Sequence, residues 1–341
     1  MRYKLLGKSG LRVSEVALGA LTFGEETGWG APKEESRKVF NAYVEAGGNF
    51  IDTAISYTDG TSEKWVGEFI AAKRSHFVVA TKYTMSKGQE EPNHSGNHRK
   101  NMMHSLETSL KRLNTDFIDL YWVHAWDFMT PVEEVMRALD DAVRAGKILY
   151  VGISNAPAWV VSQANTLSEL KSWSAFVGLQ IQYSLMNRTP ERELLPMARA
   201  FDIGVTAWGA LGSGILTGKY NKNASVSGRA AIEKRLNERG LGIAKELVAL
   251  SEEIGHTPSQ IALNWVRQQP GVMIPLIGAR TLKQFQDNIG CLEFTLTEKH
   301  MQRLHEVSKI EMGYPHEFLA QENVIKYVYG GVFSRIDNHR R

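Results

Sequence analysis

Short runs of apolar and β-branched residues alternate along this chain with longer amphipathic stretches, and no low-complexity linker separates them. The apolar runs at 15–21, 50–53, 77–81, 117–123, 148–153, 176–180, 204–208 and 272–277 read as strands. Helical periodicity fills intervening stretches such as 32–46, 99–113, 131–145 and 281–290, with Arg144-Ala145-Gly146-Lys147 as a helix C-cap. Strand and helix in strict alternation predict parallel βα units, and eight such units favour an α/β fold closed as a (β/α)8 TIM barrel over an open sheet. Ahead of the repeats, residues 3–6 and 11–14 flank Gly7 and Gly10 as a β-hairpin placed to plug the barrel floor.

The other common α/β solution, an open dinucleotide-binding sheet, carries Gly-x-Gly-x-x-Gly after its first strand. Residues 19–24 lack the middle glycine and a helix directly behind it. The repeat breaks once, at 211–239, where Gly212, Gly214, Gly218 and Gly228 predict an ordered turn followed by a mobile excursion. A length of 341 residues with 43% hydrophobic content is read as a single barrel domain, with a core at about 3–310 and a tail at 311–341 whose charged end, 335–341, frays.

Basic and acidic residues nearly balance, 40 against 37, so no strong field points to nucleic acid or a membrane as partner. A single cysteine, Cys291, cannot form an intrachain disulfide, and the charged, glycine-containing start is no signal peptide; a cytoplasmic protein is expected.

In a barrel, polar residues at the C-terminal ends of strands face one mouth. Asp52 closes the second strand, Tyr57 follows it, Lys82 ends the third and His124 the fourth. Such a set suits carbonyl reduction, in which a developing alkoxide takes a proton from an acid held against it. Tyrosine, with an unperturbed pKa of about 10, needs a neighbouring ammonium to stabilise its phenolate. Lys82 supplies it, Asp52 keeps Lys82 charged, and His124 orients the carbonyl oxygen. Each residue alone has an ordinary reading: a helix cap, a half-buried ring, a solvated charge, a core imidazole. Their complementarity at neighbouring strand ends favours the chemical one.

With these blocks in place the chain resembles the aldo-keto reductase family. The resemblance rests on LGALTFG at 18–24, GNFIDTA at 48–54 with Tyr57, LNTDFIDLY at 113–121, GKILYVGISN at 146–155 and IPLIGAR at 274–280, and within the family it is greatest to the bacterial branch that includes the potassium-channel β-subunits. It implies the tetrad Asp52, Tyr57, Lys82 and His124, and NADPH/NADP+ as cofactor. Ser154, Asn155 and Gln180 are then contacts for the nicotinamide carboxamide and Trp208 a stacking partner for its ring. Gly19, Ala20, Leu21 and Asp52 border that end. The turn of Leu211, Gly212, Ser213, Gly214, Ile215 and Leu216, with Lys219 beside it, suits a pyrophosphate, and Gly209 and Ala210 ahead of it are further cofactor positions. Gly278 and Arg280 open the last barrel helix, where the guanidinium holds the adenosine 2′-phosphate, and Gln284, Asp287 and Asn288 reach the adenosine. One departure stands out: Gly209-Ala210 replaces the Ser-Pro that many relatives carry.

Trp126 and Phe128, with Met129, are candidates for the substrate pocket beside Tyr57 and His124. His94, His98 and His104 sit in loop-like surroundings without a cysteine, so no metal is expected. The polar segment 86–97 is read as a loop over the site. Two other functions compete: a Schiff-base lyase using Lys82, and a binding protein with slow redox chemistry. Homo-oligomerisation and the physiological carbonyl are not legible from sequence.

Overall fold

Parallel strands covered on both sides need apolar residues at every position, and that requirement explains the continuous apolar runs. The computed structural model describes residues 1–86, 90–222, 229–232 and 234–338. Among these, an antiparallel hairpin of β1 (Tyr3–Leu5) and β2 (Arg12–Ser14) precedes eight parallel strands, β3 (Ala17–Gly19), β4 (Phe50–Asp52), β5 (Val78–Tyr83), β6 (Ile118–Val123), β7 (Ile148–Ser154), β8 (Phe176–Gln182), β9 (Gly204–Trp208) and β10 (Met273–Ile277). They close a barrel in chain order, β10 pairing back onto β3 at Leu276↔Ala17. The helices Lys33–Glu45, Thr61–Ile70, Arg99–Leu113, Val132–Arg144, Ala158–Lys171 and Leu194–Ala200 follow successive strands. The fold is therefore the (β/α)8 barrel with an N-terminal hairpin.

Side-chain alternation divides the strand residues between two cores. Ile51, Val79, Tyr121 and Ile153 join the large cluster beneath the helices. Phe50, Val78, Ala80, Leu120, Trp122 and Ile274 fill the barrel interior, where Leu6 and Val13 of the hairpin segment meet them. The hairpin thus stoppers the floor, held by Lys8 N to Asp202 O at 2.6 Å and Lys4 Nζ to Met273 O at 2.7 Å.

Some boundaries differ from expectation. The first strand shrinks to Ala17–Gly19, because Glu15 is taken by Arg2 N and Arg267. Lys82 and Gln180 lie inside strands that continue to Tyr83 and Gln182, rather than at their ends. The excursion after β9 is a turn at Gly212–Thr217, short helices at Lys219–Lys222 and Arg229–Ile232, and then the helices Glu238–Ile254 and Pro258–Arg267. Residues 223–228, Gly228 among them, lie outside the described residues.

The chain divides into two compact units, Met1–Ser308 and Lys309–Arg341. The second carries the short helices His316–Leu319 and Glu322–Val328, and residues 339–341 of its charged end lie outside the described residues. No helix among the described residues is long and apolar enough to cross a membrane.

The Trp122 indole fills the barrel waist because its neighbours on β7 and β8 have no side chains. A Cβ at Gly152 would lie 2.4 Å from the ring and one at Gly178 2.8 Å. Gly152→Ala should therefore overpack the interior and cost about 1–3 kcal/mol, read as a lower urea midpoint, whereas Gly10→Ala, with nothing within 4 Å of the added carbon, should leave the midpoint nearly unchanged.

Candidate active site

The alternation that sends Phe50, Val78, Ala80, Leu120 and Trp122 into the barrel sends Asp52, Lys82 and His124 to the next inward positions above them. Apolar packing below thus delivers three polar side chains to one level. Lys82 Nζ lies 2.5 Å from Asp52 Oδ2 and 2.7 Å from Thr53 O, and both side chains of the ion pair are essentially unexposed. The third contact of the ammonium is the Tyr57 hydroxyl at 3.2 Å. The remaining carboxylate oxygen, Asp52 Oδ1, accepts from Gln180 Nε2 at 2.9 Å. Burial works to lower the Lys82 pKa, but the Asp52 carboxylate and the Tyr57 hydroxyl outweigh it and hold the pKa above its ordinary value. The group is a permanent ammonium with all its donors engaged.

Tyr57 stands on the irregular segment between β4 and the helix Thr61–Ile70, anchored by Ile55 N to Lys82 O at 3.1 Å. His124 follows β6 and presents its ring edge-on to Tyr57, centroids 5.9 Å apart. Burial first, and the Lys82 charge second, push its pKa down to about 3. The imidazole is therefore neutral near pH 7, and its Nδ1 has no hydrogen-bond partner among the described residues. Its backbone is fixed by Asn155 Nδ2 to His124 O at 2.9 Å and His124 N to Thr84 Oγ1 at 3.3 Å.

Tyr57, His124 and Asp52 border a cleft of about 1180 Å³ that runs to the far end of the barrel mouth. Asn155, Gln180, Trp208, Gly209, Ala210, Leu211, Gly212, Ser213, Gly214 and Lys219 line its middle, and Gly278, Arg280, Gln284, Asp287 and Asn288 its distal end. Gly19 and Leu21 line it as well. Ala20 and Ser154 do not: both are fully buried, and the Ser154 hydroxyl has no hydrogen-bond partner among the described residues.

The turn after β9 has left-handed φ at Gly209, Gly212, Ser213 and Gly214, and its Gly212 and Gly214 amides donate to Gly209 O at 2.8 Å and Leu211 O at 2.9 Å. Lys219 Nζ stands 3.7 Å from where a Cβ on Gly214 would be, so the cation sits against this turn. At the distal end Thr281 caps the helix Leu282–Ile289, and Gln284 Oε1 accepts from Arg280 N at 3.0 Å. The elongated cleft with a cation beside its glycine turn has room and charge for a dinucleotide.

The expected substrate residues fare differently. Trp126 packs into the large core, and Phe128 is 69% exposed on its loop; neither borders the cleft. A tryptophan next to the reactive strand and a phenylalanine two residues on could not be told apart by sequence from a buried turn. The cleft lining instead includes Trp29, Ser56 and Met85. Trp29 belongs to a loop folded back so tightly that Ala31 N bonds Thr22 O at 2.8 Å, and nothing in its local pattern gave that away. Glu35 was also missed: its Oε1 accepts from Leu282 N at 2.7 Å, taking one amide at the helix end assigned to the 2′-phosphate. His94 and His104 stack as rings 5.3 Å apart, and residues 87–89 of the loop lie outside the described residues.

A family model described as the aldo/keto reductase family matches residues 15–309. Among curated proteins the chain is 37% identical over 331 residues to a norsolorinic acid reductase of Emericella nidulans, covering 94% of this chain and 84% of the relative. It is 34% identical to an aldo-keto reductase of Aspergillus calidoustus, covering 94% and 85%. It is 33% identical to a putative aryl-alcohol dehydrogenase of Saccharomyces cerevisiae, covering 95% and 91%.

Two outcomes follow from the buried charges. Lys82→Met leaves Asp52 as an unpaired buried carboxylate and should cost about 3–5 kcal/mol, measured by urea unfolding. His124 protonates near 6.5 when unfolded but only near 3 when folded, so the unfolded chain binds the extra proton between those values and stability falls as the pH drops through that window. His124→Gln should flatten this part of the stability profile; an unchanged slope would show that the titration lies elsewhere.

Proposed function

The chain belongs to the aldo/keto reductase family, and we propose that within it the protein is an NADP(H)-dependent reductase of aldehyde and ketone carbonyls, with Tyr57 as proton donor. The observation that carries this reading is the Asp52–Lys82–Tyr57 chain of contacts, 2.5 and 3.2 Å long, buried at the end of the cleft. A phenol beside a permanent ammonium can release its proton to an alkoxide, because the phenolate left behind is stabilised by the neighbouring charge. His124, kept neutral, can donate to the carbonyl oxygen without competing as an acid. When bound, the dinucleotide supplies hydride to the carbonyl carbon. Asn155, Gln180 and Trp208 would hold its nicotinamide, the turn at 209–214 with Lys219 its pyrophosphate, and Gln284, Asp287 and Asn288 its adenosine. Ser154 would act from behind Asn155, since its side chain is buried.

Preference for NADP over NAD rests on Arg280. Because Glu35 already occupies the Leu282 amide, the guanidinium rather than the helix end is left to recognise a 2′-phosphate. Trp29, Met85 and Leu21 in the lining of the same cleft and the names of the relatives support aryl carbonyls as the substrate class. Placement beside the potassium-channel β-subunits rests on sequence motifs alone. A Schiff-base role for Lys82 requires a neutral amine, and the three contacts and raised pKa of this ammonium speak against it.

Tyr57→Phe should reduce NADPH-dependent reduction of aromatic aldehydes to a small residual rate while leaving NADPH quenching of tryptophan fluorescence intact; undiminished turnover would remove Tyr57 from the role. Arg280→Ala should weaken NADPH binding by about tenfold or more, in line with a lost charge-assisted contact, and leave NADH binding nearly unaltered in the same titration.

A further inference from the structure

The Tyr57 hydroxyl owes its place to a backbone that does not rest easily. Thr58, Asp59 and Gly60 follow it with φ of 46°, 55° and 89°, and each non-glycine residue in this region costs about 1–3 kcal/mol. Such a run persists only where the surroundings hold it. One hold comes from the β3 side, where Thr58 Oγ1 donates to Phe23 O at 2.7 Å. The other comes from the helix Arg99–Leu113. Arg112 Nη1 donates to Ile55 O at 2.8 Å and contacts Glu63 Oε2 at 3.2 Å. Gly60 lies against the same guanidinium, so that a Cβ there would be 2.4 Å from Cζ.

One guanidinium therefore grips both ends of the segment carrying Tyr57. Glu63 ties that grip to the neighbouring strand: it is fully buried, and its other oxygen accepts from Thr81 Oγ1 at 2.7 Å, one residue before Lys82. The two helices can meet here because Gly67 has no side chain; a Cβ would lie 2.5 Å from Leu113 O. Neither Arg112 nor Glu63 borders the cleft, so neither can touch a substrate.

We propose that Arg112, paired with Glu63, is a positioning residue that fixes the Tyr57 hydroxyl against the Lys82 ammonium. The proposal rests on the reading of Tyr57 as the proton donor. Among the described residues, Lys82 of β5, with Asp52 of β4 behind it, and His124 after β6 face that phenol. A guanidinium can span a carbonyl and a carboxylate in one plane. A lysine ammonium cannot reproduce that fork, and methionine keeps only the apolar stem.

The test is Arg112→Met, with Arg112→Lys as the milder variant should the first fail to fold. Small misplacement of a reacting group can cost up to about 100-fold in rate. The expected result is a fall in kcat of about tenfold or more with KM for the aldehyde and Kd for NADPH changed less than about twofold. In the Tyr57→Phe background the same change should lower residual kcat no further. Independently of turnover, the tyrosinate absorbance change assigned to Tyr57 by subtracting the Tyr57→Phe variant should move to higher pH, since the phenolate loses its place beside the ammonium. An equal loss of kcat in both backgrounds, or an unmoved titration in a folded variant, would overturn the proposal. A native enzyme that reduces no carbonyl would instead sink the reading of the site, and the titration would still decide the role of Arg112.

Discussion

A lysine ammonium enclosed in a barrel interior is the constraint around which the rest is arranged. Burying an isolated ammonium is costly enough that it would lose its proton instead. Lys82 keeps it because Asp52, the Thr53 carbonyl and Tyr57 surround the nitrogen. Asp52 in turn needs Gln180 for its second oxygen. Strands β4, β5 and β8 are thereby joined across the barrel by polar contacts, above the apolar cluster of Phe50, Val78, Ala80, Leu120 and Ile274. Removing one member takes a partner from a buried charge, so the stability of this level depends on a few atoms.

Strand ends are also why these residues could be picked out from sequence. Once 50–53, 77–81 and 117–123 are recognised as parallel strands of a barrel, Asp52, Lys82 and His124 fall at or near their C-terminal ends. Their convergence needs only the closure of the barrel. The long cleft was legible for a similar reason: its glycine turn and the start of the last barrel helix have local signatures that do not depend on distant contacts.

What escaped the sequence depends on packing between segments far apart. Trp29 reaches the cleft because its loop doubles back onto Thr22, and Trp126 leaves it for the core because the loop after β6 turns inward. Glu35 meets Leu282 across 247 positions of chain. Arg112 looks like an ordinary cation in the last turn of an amphipathic helix, where a charge on the solvated face is the plain expectation. Only the approach permitted by Gly67 shows it bonded to the backbone next to Tyr57.

The indole of Trp122 and the hairpin stopper have a consequence beyond packing. Leu6 and Val13 close the barrel from below and Trp122 fills its waist, so among the described residues the polar level above them opens to the cleft and not to the barrel floor. On the function proposed above, a proton bound for Tyr57 would arrive through that cleft, and a ligand filling it would stand in the way. Reloading of the phenol would then wait on ligand departure, so that the architecture of the barrel would couple proton uptake to release.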